Sequence, residues 1–298
     1  MRIFPRVDKL FNVAEKSKPS NLVFPIGIDI FDNAMDGGVR EGELIVVSGP
    51  TGQGKTTFLQ NLTINCHVLE VPSIWFTYEM DPWYLKEKFV SMGQDKHLLA
   101  YAPNDNLEGR ISFIEERIVE GNEEYLTKIV FIDHLHYLIP MDSVQNSSLM
   151  IGGIARALKQ LAIKTKSIIF LIAHTKKIYQ DEKLDLSSIR DSSLIVQEAD
   201  YVFLVERLKN EEKKVAKLRQ KIQEENTQWS NKSKIELAKN RRTGIMVYKT
   251  FELKDNRFIY NNEDTRTIEK LQDNRRKSKL SSHSKRSSKN RRKLFDSD

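Results

Sequence analysis

The sequence predicts an α/β chain whose mainly parallel sheet is flanked by helices and extended at its C-terminal side by antiparallel strands. Strand-like and helix-like segments alternate from residue 43 onward, and a glycine-rich turn separates the first strand of that series from the first long helix. Several strands are also apolar without a break, as in Ile129-Val-Phe-Ile132 and Ile168-Ile-Phe-Leu-Ile172. Unbroken apolar runs belong to strands covered on both faces, the condition of a parallel sheet between helical layers.

The elements follow in order. Residues 1–20 carry Ile3, Phe4, Val7, Leu10, Phe11 and Ala14 three and four apart, the stripe of a short amphipathic helix that Lys18, Pro19 and Ser20 end. So short a helix needs a surface to dock on, either its own domain or a neighbouring subunit, and a mitochondrial presequence is the alternative that Asp8 and Glu15 weaken. A main domain over residues 21–262 contains expected strands at Glu43–Ser48, Ser73–Thr77, Lys128–Asp133, Ser167–Ala173 and Tyr201–Val205. Helices are expected at Lys55–Val68, Pro82–Met92, Ser147–Lys166 and Ser192–Ala199. Lys234–Ala238 and Ile245–Leu253 read as a terminal antiparallel pair around a turn with Gly244. Between the last two groups, residues 207–232 form a charged insertion with Leu208, Val215, Leu218 and Ile222 at heptad-like spacing, either a solvated helix or a partner-binding coil.

Composition narrows the class. With 298 residues, 39% of them hydrophobic, the chain can bury one large core. Its single cysteine, Cys66, excludes a disulfide scaffold and predicts a reducing compartment, the cytoplasm, or the mitochondrion or nucleus in a eukaryote. Apolar runs such as Ile168–Ala173 fall far below the roughly 18 residues of a membrane span, so the chain is expected to be soluble with no membrane partner. The net charge of +7 resides in the tail: from Thr265 to Asp298 there are twelve Lys/Arg against four Asp/Glu. Residues 263–298 are too poor in apolar side chains to offset ordering entropy and are expected to be disordered. They read as a solubilising end, a salt-sensitive tether to nucleic acid, or a nuclear localisation signal.

The strongest local signal is Gly49-Pro50-Thr51-Gly52-Gln53-Gly54-Lys55-Thr56, followed by Thr57: a complete Walker A pattern between an apolar strand and a helix. Such a P-loop curls so that backbone N–H groups and the helix N-terminus face phosphate oxygens, which predicts a nucleotide as ligand, ATP being what the resemblance given below implies. Lys55 supplies a point charge to the β- and γ-phosphates, and Thr56 a hydroxyl for Mg²⁺. Asp133, ending its strand, is placed to serve the same ion, directly or through water. Glu79, just past Ser73–Thr77, stands where a base for the attacking water is needed, with a surface charge as the bland alternative.

Beyond the P-loop, Tyr78-Glu79-Met80, Ile132-Asp133-His134-Leu135, Ala173-His174-Thr175, Ile189-Arg190-Asp191 with Gln197-Glu198-Ala199-Asp200, and Ala238-Lys239-Asn240-Arg241 follow in order. This succession, over about residues 22–260, resembles the RecA-like motor domain of the DnaB-type (superfamily 4) replicative helicases, and is similar to phage primase-helicases and Twinkle. The resemblance implies a RecA-like P-loop NTPase core and a homo-oligomeric, usually hexameric, ring moving on single-stranded DNA, with replication proteins as further partners. It implies that Glu79 activates water, that His174 senses the γ-phosphate, and that Arg241, with Lys239, reaches into the adjacent subunit's ATP site. It places DNA contacts on Pro140–Ser148 and Thr175–Ser188, here with Lys176, Lys177 and Lys183, and on Arg190. About twenty residues precede the motor, so neither the helical domain nor the primase of such relatives is expected. A recombination mediator or KaiC-like regulator that hydrolyses ATP without processive unwinding is the alternative reading. A binding accessory resting on tail and insertion is a third.

Overall fold

The computed structural model describes residues 22–94, 99–101, 111–138, 147–176, 183–189, 192–209 and 229–260. The chain divides into two units, Met1–Ile259 and Tyr260–Asp298. The expected helix at 1–20, residues 140–146, Lys177, Arg190, residues 210–228 of the insertion and the tail at 263–298 lie outside the described residues.

A two-stranded antiparallel ribbon, β1 (Val23–Phe24) with β2 (Val39–Arg40), brackets α1 (Asp29–Ala34) ahead of the main sheet. The sheet is built from β3 (Leu44–Gly49), β4 (Ser73–Thr77), β5 (Leu99–Tyr101), β6 (Ile129–Asp133), β7 (Ile168–His174), β8 (Tyr201–Lys209), β9 (Trp229–Asn240), β10 (Val247–Lys254) and β11 (Arg257–Ile259). Its order is β11-β10-β9-β8-β3-β7-β6-β4-β5, parallel from β8 to β5 and antiparallel from β8 to β11. The helices are α2 (Lys55–Val68), α3 (Pro82–Ser91), α4 (Ile111–Tyr125), α5 (Ser147–Thr165) and α6 (Ser192–Glu198).

Every residue of β3 and β6 is buried, as their unbroken apolar runs require. The pleat sends alternate side chains to opposite layers. One layer joins Val46, Ile132, Leu171 and Leu204 to Ile114 and Ile118 of α4, Leu158 of α5 and Ile195 of α6. In the other, Trp75, Phe131 and Phe170 sit level on adjacent strands. Their ring centroids are 5.2 Å apart at each step, and Phe89 of α3 caps the row 5.9 Å from Trp75. The indole N–H of Trp75 donates to Thr63 Oγ1 of α2 at 2.8 Å, so the row carries no unsatisfied polar atom there. Each such buried aromatic contributes roughly 1.5–3 kcal/mol.

The predicted strands and helices stand within one or two residues at each end, except that the strands expected at Tyr201–Val205 and Lys234–Ala238 are longer, and helix α4, one face of which is marked by Ile111, Ile114 and Ile118, adds to the expected elements. The insertion predicted at 207–232 is narrower, because its flanks are strand. Arg207 pairs with Ser233 and Lys209 with Trp229, extending the β8–β9 ladder past the sheet. No described helix is long and apolar enough to cross a membrane.

Gly49 ends β3 where β8 passes closest. A Cβ at this residue would lie 2.1 Å from the Val205 carbonyl oxygen, so glycine is required there by contact with the neighbouring strand. Gly49→Ala is expected to cost about 3 kcal/mol, the upper part of the usual overpacking range, read as a fall in the denaturation midpoint. An unchanged midpoint would show that β8 yields freely.

Candidate functional site

Parallel register brings four strand ends together. Gly49 of β3 pairs with His174 of β7, and Thr77 of β4 pairs with Asp133 of β6. The chain leaves β3 into the P-loop, where Gly52 (φ 74°) and Gly54 (φ 96°) take left-handed conformations that give the loop its turn into α2. Above these ends lies a cavity of about 240 Å³ lined by Thr51, Gly52, Gly54, Lys55, Thr56, Thr57, Glu79, His134 and His174. Open α/β sheets bind ligands at this end.

The remaining P-loop residues frame it. Lys55 Nζ donates to the carbonyls of Gly49 at 2.9 Å and Pro50 at 3.0 Å, which folds the loop around the ammonium. Gln53 does not point to the cavity: it is buried, and its Oε1 accepts the Arg207 N–H of β8 at 2.8 Å. It therefore anchors the loop to the sheet. Burial lowers the Lys55 ammonium pKa, opposed by the charges of Glu79 and Asp133.

Asp133 lies beneath the cavity, 1% exposed. Burial first, and then the charge of Glu79, push its carboxyl up to about 7, against the pull of Lys55 and a hydrogen bond with Thr56. Its Oδ1 is buried without a hydrogen-bond partner among the described residues. An oxygen of this kind, next to a threonine hydroxyl, fits a hard dication such as Mg²⁺.

Glu79 follows β4 in a turn held by Thr77, whose Oγ1 donates to the Met80 carbonyl at 2.5 Å, and by Asp81, which caps α3 by accepting the Trp83 N–H at 2.8 Å. Its side chain is 47% exposed and its Oε2 lies 2.7 Å from His134 Nε2. His134 is 2% exposed, has φ 95°, and packs against His174 with ring centroids 3.7 Å apart and planes inclined at 41°. Atoms of Glu79, Asp133 and His134 all lie within 4.8 Å of one another. His134 stands in the sequence within Ile132-Asp133-His134-Leu135, where the residues alone give it no role. The signal available was its place directly after the strand-ending acid.

Lys239 and Arg241 are not brought to this cavity. Arg241 Nη1 meets Asp200 Oδ1 at 3.1 Å, and its Nη2 donates to the Gln197 carbonyl. Lys239 Nζ donates to the carbonyls of Val196 at 2.5 Å and Ala199 at 2.6 Å, at the end of α6. Lys176 and Lys183 are exposed on the segment that leaves β7, whose base is tied by the Thr175–Ile189 bridge and by Lys176 N–H to Ser188 carbonyl at 2.8 Å.

With this geometry in place, comparison with known proteins is decisive for the family. The family model described as DnaB-like helicase C terminal domain matches residues 100–260, more than half of the chain. The chain belongs to the DnaB-like helicase C-terminal domain family. A KaiC ATPase model matches residues 24–115, which contain the P-loop and Glu79. The replicative DNA helicase DnaB of Rickettsia conorii is 24% identical over 235 residues, covering 66% of this chain and 47% of that protein. That of Rickettsia felis is 23% identical with the same coverage. The chain thus spans about half the length of these curated relatives. Among solved structures, an isolated ATPase domain superposes with a TM-score of 0.65 at 16% identity, over 85% of this chain and 96% of that domain. A DnaB-like replicative helicase, solved in a study of its interactions with primase, superposes with a TM-score of 0.64 at 15% identity, over 84% of this chain and 64% of its own. Both place the fold in the RecA-like class.

Removing the ammonium that organises the loop is a direct check. Lys55→Ala is expected to weaken binding of a fluorescent ATP analogue at least about 100-fold, losing a charge-assisted contact of about 3 kcal/mol. Binding at wild-type affinity would separate Lys55 from the phosphates.

Proposed function

We propose that this chain is an ATP-hydrolysing motor on single-stranded DNA, a DnaB-like helicase serving DNA replication in the cytoplasm as a homo-oligomeric, six-membered ring. The observation that supports it best is the joining of Lys55, Thr56, Glu79 and His174 around one cavity in a chain of the DnaB-like family. ATP enters with its phosphates against the P-loop N–H groups and the start of α2, and Lys55 exchanges the loop carbonyls for β- and γ-phosphate oxygens. Thr56 and Asp133 would hold Mg²⁺, which would supply charge neutralisation to those phosphates. Glu79 orients the attacking water and accepts its proton, and His174, level with Gly49, contacts the γ-phosphate.

The transition state needs further positive charge, and Arg241 lies too far away to give it within one subunit. Arg241 follows Asn240, which pairs with Tyr201, whereas the P-loop starts level with Val205. Four strand residues separate these levels, about 13 Å at about 3.3 Å each. Arg241, supported by Lys239, therefore serves the site of the next copy, where such a finger is worth roughly 10³–10⁵ in rate. DNA phosphates meet Lys176 and Lys183, with Lys177 and Arg190 assigned the same role. The Thr175–Ile189 bridge closes the base of that segment directly after His174, the route by which contact with the γ-phosphate would be passed to the DNA-facing side. Replication proteins are proposed as further partners.

The KaiC match favours a second reading, a RecA/KaiC-like ATPase acting as a recombination mediator or regulator without processive unwinding, which strand-displacement assays separate from the first. Three measurements test the motor. Glu79→Gln should keep ATP binding while turnover falls at least about 100-fold, and normal turnover removes its role. ATPase activity should rise with protein concentration and with added single-stranded DNA; a rate independent of both counts against a ring on DNA. Arg241→Ala subunits mixed with wild type should depress activity below the wild-type fraction, whereas strict proportionality excludes a finger acting between copies.

A further inference from the structure

We propose that His134 is a positioning residue of the hydrolytic site, holding the Glu79 carboxylate in its working orientation and linking it mechanically to His174. The proposal rests on the assignment of Glu79 as the group that orients water. Glu79 sits in a turn with a side chain 47% exposed, and a half-exposed glutamate has several rotamers of similar energy. His134 selects among them. Its Nε2 faces Glu79 Oε2 at 2.7 Å, so this nitrogen carries the proton and donates, leaving the other carboxylate oxygen for water.

The donor is itself held firmly. His134 is 2% exposed at the end of β6, between Asp133 and the short 3₁₀ turn Leu135–Leu138. Its φ of 95° is unusual for a residue with a Cβ, and a conformation of this kind persists only where its surroundings impose it. Its ring packs against that of His174, centroids 3.7 Å apart and planes inclined at 41°, so the two rings are in direct contact. The three side chains Glu79, His134 and His174 line the same cavity. A contact that moves His174 therefore moves the hydrogen bond on which the Glu79 orientation depends.

A bulky aromatic side chain would fill the same space without donating, which separates positioning from packing. In the full chain with single-stranded DNA, His134→Phe should lower kcat about 100-fold, the usual consequence of displacing a catalytic group by about 1 Å. The KM for ATP and the Kd for an ATP analogue should stay within about twofold, since only transition-state interactions are lost. His134→Gln, whose amide nitrogen reaches about where Nε2 sits, should recover kcat to within about tenfold of wild type. Should His134→Phe fail to fold, His134→Asn takes its place, because asparagine tolerates positive φ but falls short of Glu79. Wild-type kcat in the donor-lacking variant, a Gln variant no better than it, or equal losses in binding and turnover would each overturn the proposal. Glu79→Gln in the same assay separates the two readings: if it turns over normally, the role of Glu79 itself fails. If it is inactive while the donor-lacking variant is normal, only the role of His134 fails.

Discussion

The arrangement of the site depends on strand register. Because β3, β7, β6 and β4 run parallel, their carboxyl ends arrive together, and pairing puts Gly49 level with His174 and Thr77 level with Asp133. A slip of one residue in any pair would turn alternate side chains to the opposite layer and take the aromatic row of Trp75, Phe131 and Phe170 out of its helical cover. The core that opposes such a slip is therefore also what sets the spacing of the polar groups above it.

Those polar groups are kept in a poorly solvated place at some cost. Lys55 and Asp133 are both buried, and their pKa values move in opposite directions for the same reason, burial disfavouring the charged form of each. Their mutual attraction and that of Glu79 for Lys55 offset part of this penalty. In the proposed function a triphosphate with its cation offers each of them a stronger partner, and the loop geometry adds directional N–H groups.

Much of the fold was legible because its strongest signals are local. Unbroken apolar strands announced the parallel sheet, and Gly49 to Thr56 announced the loop between β3 and α2. Helix α4 escaped because its apolar residues are sparse and charged ones dominate its exposed face. The β8–β9 extension escaped because Arg207 to Lys209 looks like solvated insertion, although those residues are paired across to β9. The reason for Gly49 was not legible either: its neighbour Val205 is far away in sequence, and only folding brings that carbonyl to the place a side chain would need. For His134 the residue was visible, but its contact with Glu79 arises from the pairing of β4 with β6, and no spacing in the chain encodes it.

Asp200 has a consequence of its own. Its Oδ2 accepts from Lys159 at 2.6 Å and from the Leu44 N–H at 2.9 Å, while Arg241 engages Oδ1 from a side chain 48% exposed. Besides the guanidinium the buried carboxylate thus has an ammonium and an amide as partners, so its hydrogen bonding does not depend on Arg241 alone. Under the proposed role of Arg241 between copies, the aspartate serves as a cradle that holds the arginine without relying on it, and docking of a second copy decides where that charge resides.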